Sequence, residues 1–137
     1  MLFVDLDRFK SVNDTYGHEV GDAVLIEVAA RLTSSARRSD TVARLGGDEF
    51  VLLCHPISSG SDVDVVVRRV MQAFSVPVVV GDVRLDLSAS IGTAMTSDPA
   101  ADATRLLGAA DAQMYVAKQD GGGGSRSEVG DGASGLV

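Results

Sequence analysis

The stretch Thr41-Val42-Ala43-Arg44-Leu45-Gly46-Gly47-Asp48-Glu49-Phe50-Val51-Leu52-Leu53 decides the fold. Two glycines permit a tight turn with unusual backbone angles. Two carboxylates follow at once, and β-branched and apolar residues flank the turn on both sides. The pattern predicts a β-hairpin whose tip presents acids. A second acidic point, Asp5-Leu6-Asp7, directly follows the apolar run Leu2-Phe3-Val4. If that run is a strand paired with the hairpin, Asp5 and the Asp48-Glu49 pair sit at neighbouring strand ends. Two carboxylates about 4 Å apart repel by roughly 1 kcal/mol in water and about 4 kcal/mol at an effective dielectric near 20. A cation makes such clustering favourable. Asp5, Asp48 and the Leu6 backbone carbonyl are hard oxygen donors suited to Mg²⁺. The alternative is a set of separate, solvated acids on an ordinary polar turn.

Working outward, Leu2 to Leu6 reads as a central strand. Residues 7 to 21, rich in Asn, Asp, Gly and Thr, read mainly as a loop or broken helix. Asp22 then opens a helix with Val24, Leu25, Val28, Ala29 and Leu32 on one face. Ser61 or Asp62 caps a second helix, in which Val63, Val66, Val67, Val70, Met71 and Phe74 recur at helical spacing. Val76–Val80 and Val83–Leu87 flank a Gly81-Asp82 turn, Ser90–Met95 is another strand, and the last helix runs from about Asp102 to Lys118. The order β-α-β-β-α-β(β)-α predicts an α+β sandwich, an antiparallel-rich sheet with helices packed on it. Residues 121–137, opening on four glycines, predict a disordered Gly/Ser-rich tail after a domain spanning 1–120.

The chain has 137 residues, enough for one domain with its own core. Its net charge of −7 argues against a nucleic-acid surface, which needs a basic stripe. It does not argue against a nucleotide, because Mg²⁺ offsets acidic groups locally. The single cysteine, Cys54, reads as a small buried hydrophobe and fits a reducing cytoplasm. No apolar run reaches the roughly 18 residues needed to span a membrane, and Met1-Leu2-Phe3-Val4 is too short for a signal peptide.

Four stretches, in order and at the right spacing, resemble the GGDEF family, the diguanylate cyclases. One is Gly46–Phe50 itself. The second runs Asp5-Leu6-Asp7-Arg8-Phe9-Lys10-Ser11-Val12-Asn13-Asp14, then Tyr16-Gly17-His18 and Gly21-Asp22. The third is Arg37-Arg38-Ser39-Asp40, and the fourth is Ala110-Asp111-Ala112-Gln113-Met114-Tyr115-Val116-Ala117-Lys118. The resemblance covers roughly residues 1 to 121. It implies a ferredoxin-like, nucleotidyl-cyclase-like core. It also implies condensation of two GTP into cyclic di-GMP and two pyrophosphates, with Mg²⁺ (or Mn²⁺), in a homodimer. It credits Asp48 with accepting the attacking hydroxyl's proton. Glu49 is a second candidate for metal binding or proton transfer, because a metal-bound carboxylate is a poor base. Lys10 suits phosphate charge in the transition state, and the backbone amides of Arg8, Phe9 and Lys10 suit a phosphate nest. By resemblance, Asn13 and Asp22 read guanine, His18 lies near the substrate, and Lys118 contacts phosphate. Arg37 and Asp40 match an inhibitory site for the product.

Two departures stand out. The chain begins inside the family's first strand, without the helix that usually precedes it. The family's K-x-x-G-R becomes Lys118-Gln119-Asp120-Gly121-Gly122, so a phosphate-binding arginine is a glycine, and the closing strand is expected to be absent. The competing reading is therefore a catalytically weak or inactive module that binds GTP or cyclic di-GMP and regulates a partner. Fusion to sensory or phosphodiesterase domains, and a cytoplasmic location, are expected on the same resemblance.

Overall fold

The computed structural model describes residues 1–129. Its centre is β1 (Leu2–Leu6), in which all five residues are buried. Strand β1 lies between β3 (Glu49–Leu53) and β6 (Ala89–Met95), antiparallel to both. Strand β2 (Thr41–Gly46) pairs with β3 through the Gly47 turn, where φ is +51°. The sheet order is β2-β3-β1-β6-β7, and the first four strands have the order of a ferredoxin-like βαββαβ unit. The expected α+β sandwich is borne out. Val78–Val80 (β4) and Val83–Leu85 (β5) form a separate two-stranded ribbon.

Side-chain alternation along β1 sorts the core into two layers. Leu2, Val4 and Leu6 join Phe50, Leu52 and Ile91 beneath α2 (His18–Ser35) and α3 (Gly60–Ala73), which supply Val24, Val28, Leu32, Val66 and Val70. Phe3 points to the other face, where it packs with Val51 and Ala94 of the sheet against Ala110 and Met114 of α4 (Ala103–Gln119). The valine-rich segment 63–70 is helical, as its period predicts. Its cap is Ser59, which forms a capping box with Asp62, so neither Ser61 nor Asp62 is the cap residue. Cys54 is buried, as expected.

Of the two readings of residues 7–21, the broken helix holds: residues 9–16 form α1 (Phe9–Tyr16), and α2 begins at His18. Two expectations here are corrected. Gly17, with φ +86°, makes the break between α1 and α2, so Asp22 lies inside α2 and does not cap it. The polar composition of α1 hides a tertiary contact. A Cβ on Gly21 would stand 1.8 Å from the Asn13 side-chain oxygen, so the bare glycine lets the Asn13 amide lie flat against α2. The second correction concerns the tail. Ser125–Val129 forms β7, parallel to β6, so a closing strand is present and this part of the expected disordered tail is ordered. The parallel ladder takes its hydrogen bonds from the backbone and does not require an apolar sequence. Residues 130–137 lie outside the described residues.

Candidate active site

The acidic strand ends meet. Asp5 stands opposite Glu49 in the β1–β3 register, and the Leu6 amide donates to the Asp48 carbonyl at 3.2 Å. The hairpin tip is thus fastened to the end of β1. Asp5 is only 6% exposed. Burial, then the neighbouring charges of Asp48 and Asp7, raise its carboxyl above the ordinary value, outweighing its hydrogen bond to Lys118. Glu49 is also raised, by burial first and then by Asp5, Asp48 and Asp111.

The Lys118 ammonium, at the end of α4, donates to Asp5 Oδ1 at 2.5 Å. Burial pulls Lys118 down, but the bond to Asp5 and the charges of Asp5, Asp48 and Asp7 together push it up. A lysine on Asp5 is therefore the charge that the site's carboxylates call for. The donor set, carboxylates plus backbone carbonyl oxygen, fits a hard divalent cation such as Mg²⁺ or Mn²⁺. Among the described residues, no three His, Cys, Asp or Glu side chains are gathered as a preformed metal cage. A cation here would draw on Asp5, Asp48 and non-carboxylate oxygens.

The remaining predicted residues are distributed around this point. Lys10 is exposed in the first turn of α1, whose Phe9 is buried. Arg8, just before it, takes a left-handed conformation (φ +56°) that turns the chain from β1 into α1. Asn13 is half-buried against Gly21, while His18 and Asp22 are exposed in the first turns of α2. An open cleft of about 570 Å³ lies along α1, between Arg8, Tyr16, Asp86 and Gly121–Gly123. Neither Asp5 nor Asp48 lines it.

Arg37 and Asp40 sit just before Thr41, at the opposite end of β2 from Gly46. Asp40 Oδ2 accepts from the Arg37 amide at 2.7 Å, and the Asp40 amide donates to the Arg37 carbonyl at 2.9 Å. The pair closes a turn through the backbone. Asp40, Arg69 and Arg37 all act on the buried Cys54 thiol, which burial pushes up first. Arg69 carries two buried guanidinium nitrogens without a partner. Sequence reasoning did not single it out, since Arg68-Arg69 reads as an exposed pair on a helix. It also passed over Gly92 and the hydrogen bonding of Asp7. A glycine inside a strand pattern was the available signal for a close backbone approach at Gly92.

Residues 1–124 match the family described as "Diguanylate cyclase, GGDEF domain". The chain belongs to the GGDEF family. It is 40% identical over 127 residues to the diguanylate cyclase TpbB of Pseudomonas aeruginosa, an alignment that covers 92% of this chain and 29% of TpbB. The crystal structure of the TpbB GGDEF domain superposes with a TM-score of 0.88 at 39% identity, covering 95% of this chain and 81% of that one. The coiled coil and GGDEF domain of DgcB from Caulobacter crescentus, solved in complex with c-di-GMP, gives a TM-score of 0.81 at 27% identity and covers 93% of this chain and 68% of that one. The chain thus spans less than a third of the TpbB length. No described helix is long and apolar enough to cross a membrane.

Proposed function

We propose that this domain is the catalytic module of a diguanylate cyclase, acting on GTP in the cytoplasm. The observation that carries the reading is the meeting of Asp5, Asp48-Glu49 and Lys118 at one end of β1 and β3 in a GGDEF-family chain. Each GTP 3′-hydroxyl attacks the α-phosphorus of the other GTP. The new P–O bond forms as the bond to the β-phosphate breaks, and pyrophosphate leaves with the electron pair. Asp48 and Glu49 are the two candidates to take the hydroxyl proton. Asp5, Asp48 and the Leu6 carbonyl would hold Mg²⁺ or Mn²⁺. That cation supplies charge for the triphosphate and acidity for the hydroxyl. Lys10, Lys118 and the amides of Arg8, Phe9 and Lys10 receive phosphate oxygens, while Asn13, Asp22 and His18 face guanine. One such site holds one GTP, so turnover requires a homodimer with two sites face to face.

At the far end of β2, Arg37 and Asp40 form the site for cyclic di-GMP as inhibitor. The c-di-GMP complex of the similar DgcB domain supports binding of that product by this fold. The full-length protein would carry sensory or phosphodiesterase domains, in keeping with the greater length of TpbB. A second reading, a module that binds nucleotide but turns it over weakly, is favoured by Gly122. Its φ of +71° and its position against Asp7 leave no phosphate-binding side chain there.

The test is incubation of the purified protein with GTP and Mg²⁺ or Mn²⁺, with products resolved by chromatography. Cyclic di-GMP should form, at an initial rate rising faster than linearly with protein concentration. Asp5→Asn and Asp48→Asn should each abolish it while the fold is retained. Nucleotide binding without any product would favour the second reading. Full activity of either variant at saturating metal would refute the metal assignment.

A further inference from the structure

We propose that Asp7 is a positioning residue that locks the donor end of β1 to the turn after α4, and so delivers Lys118 onto Asp5. This rests on the site described under the proposed function. Asp7 is two residues beyond Asp5, yet its carboxylate is committed to other partners. Oδ2 accepts from Ser88 Oγ and from the Gly123 amide, each at 2.7 Å, and Oδ1 accepts from Ser90 Oγ at 2.7 Å. The Asp7 amide donates to the Ser88 carbonyl at 2.9 Å. Ser90 is fully buried and stands opposite Asp5 in the β1–β6 register. One carboxylate therefore ties together the end of β1, the start of β6 and the turn at 121–124.

The turn is shaped to receive it. Gly122 has φ +71°, and a Cβ there would stand 3.0 Å from the Asp7 carboxyl carbon. A side chain at this position would be strained by the backbone conformation and would crowd the carboxylate. The Gly124 carbonyl then accepts from the Ile91 amide at 3.0 Å, which leads the chain into β7. Lys118 lies at the end of α4, just before this turn. Fixing the turn fixes how α4 ends over Asp5.

The test is a double-mutant cycle of Asp7→Ala and Lys118→Met on the full chain. Binding of guanosine 5′-(α,β-methylene)triphosphate with Mn²⁺ is measured by calorimetry, and unfolding in urea is measured without nucleotide. In the wild type, Lys118→Met should weaken analogue binding about tenfold, in line with loss of a charge-assisted contact. In the Asp7→Ala background it should weaken binding by less than about threefold, because the ammonium is no longer held in place. A residue that only adds stability would leave the two effects multiplicative. Asp7→Asn should retain binding within about threefold of the wild type. Its oxygen can serve Gly123 and Ser88 while its amide donates to Ser90, whose hydroxyl can reverse roles. It serves as the rescue variant. If the alanine variant fails to fold, Gly122→Ala takes its place in the cycle and should reproduce the loss of coupling. Gly124→Ala, with nothing within 4 Å of its Cβ position, should not. If the wild type binds no analogue, the GTP reading fails and the urea cycle alone decides the role of Asp7. Additive effects of Asp7 and Lys118 substitutions in urea would overturn the proposal, as would multiplicative effects on binding.

Discussion

Gly92→Ala is the sharpest perturbation of the way the sheet carries α4. Gly92 lies in β6 with ordinary backbone angles, so a methyl group there meets no conformational penalty of its own. Its Cβ, however, would stand 1.9 Å from the Ala110 carbonyl oxygen and 2.2 Å from the Met114 amide nitrogen. Both are backbone atoms of α4, and no rotamer change can move them. To restore even a 3.0 Å contact, the helix must retreat by about 1.1 Å (3.0 − 1.9). That opens the layer of Phe3, Val51, Ala94, Ala110 and Met114. Overpacking of this kind costs about 1–3 kcal/mol, and a backbone clash belongs at the upper end. The lower entropy of the unfolded alanine chain returns about 0.4–1 kcal/mol. The net loss is about 2 kcal/mol, a fall in Tm of roughly 6–10 °C for a domain of this size. Scanning calorimetry reads it directly. Lys118 lies one turn beyond Met114, so the variant should also lose the Lys118–Asp5 bond, visible as altered Lys118 side-chain resonances. A melting temperature within about 2 °C of the wild type would refute the claim that α4 rests on bare β6 backbone.

Three further outcomes follow from the charges. Lys118→Met should raise the affinity of the nucleotide-free protein for Mn²⁺, by roughly two- to tenfold, because the ammonium and the metal compete for Asp5; the pair is partly exposed, which keeps the gain small. Electron paramagnetic resonance of free Mn²⁺ measures it, and weaker binding would contradict the competition. Because Asp5 and Glu49 have raised folded values, the folded state holds their protons more tightly than the unfolded one. Their contribution to stability therefore falls as pH rises from each ordinary value through the raised one, and is regained on acidification. Urea unfolding across that range, compared with Asp5→Asn, should show a difference that saturating Mg²⁺ removes; an identical pH profile in the two proteins would refute it. Arg37→Ala should weaken cyclic di-GMP binding in calorimetry with little change for GTP, since Arg37 lies at the opposite end of β2 from the hairpin tip; unchanged product affinity would reduce Arg37–Asp40 to a solvated turn.

Much of this arrangement is legible in the chain because it depends on local chemistry. The Gly46-Gly47 turn, the apolar run ending in Asp5 and the helical period of the valines at 63–70 each carry their own signal. What stays hidden depends on partners far away in sequence. Helix α1 reads as a loop or broken helix because Asn13, Asp14 and Thr15 have poor helix propensity, and it is held by Phe9 and Val12 against the core. Strand β7 reads as tail because its bonds are supplied by β6. Asp7 reads as a spare acid of the Asp5-Leu6-Asp7 motif until Ser88, Ser90 and Gly123 converge on it. The meeting of the acidic strand ends follows from local signals, whereas the contacts that hold those ends in place do not.

The central position of β1 also sets an order of events at the ribosome. Within this domain β1, buried on every residue, precedes both of its neighbours, β3 and β6, in sequence. Leu6 finds Ala89 only after the whole segment between them has been made. Until then, one edge of an apolar strand stands open, which slows folding and exposes the nascent chain to association. A chain halted before Ala89 would hold an intact hairpin tip but lack the β6 ladder that flanks Asp5. Completion of this sheet therefore waits on β6, and release of the chain before Ala89 should favour association over folding.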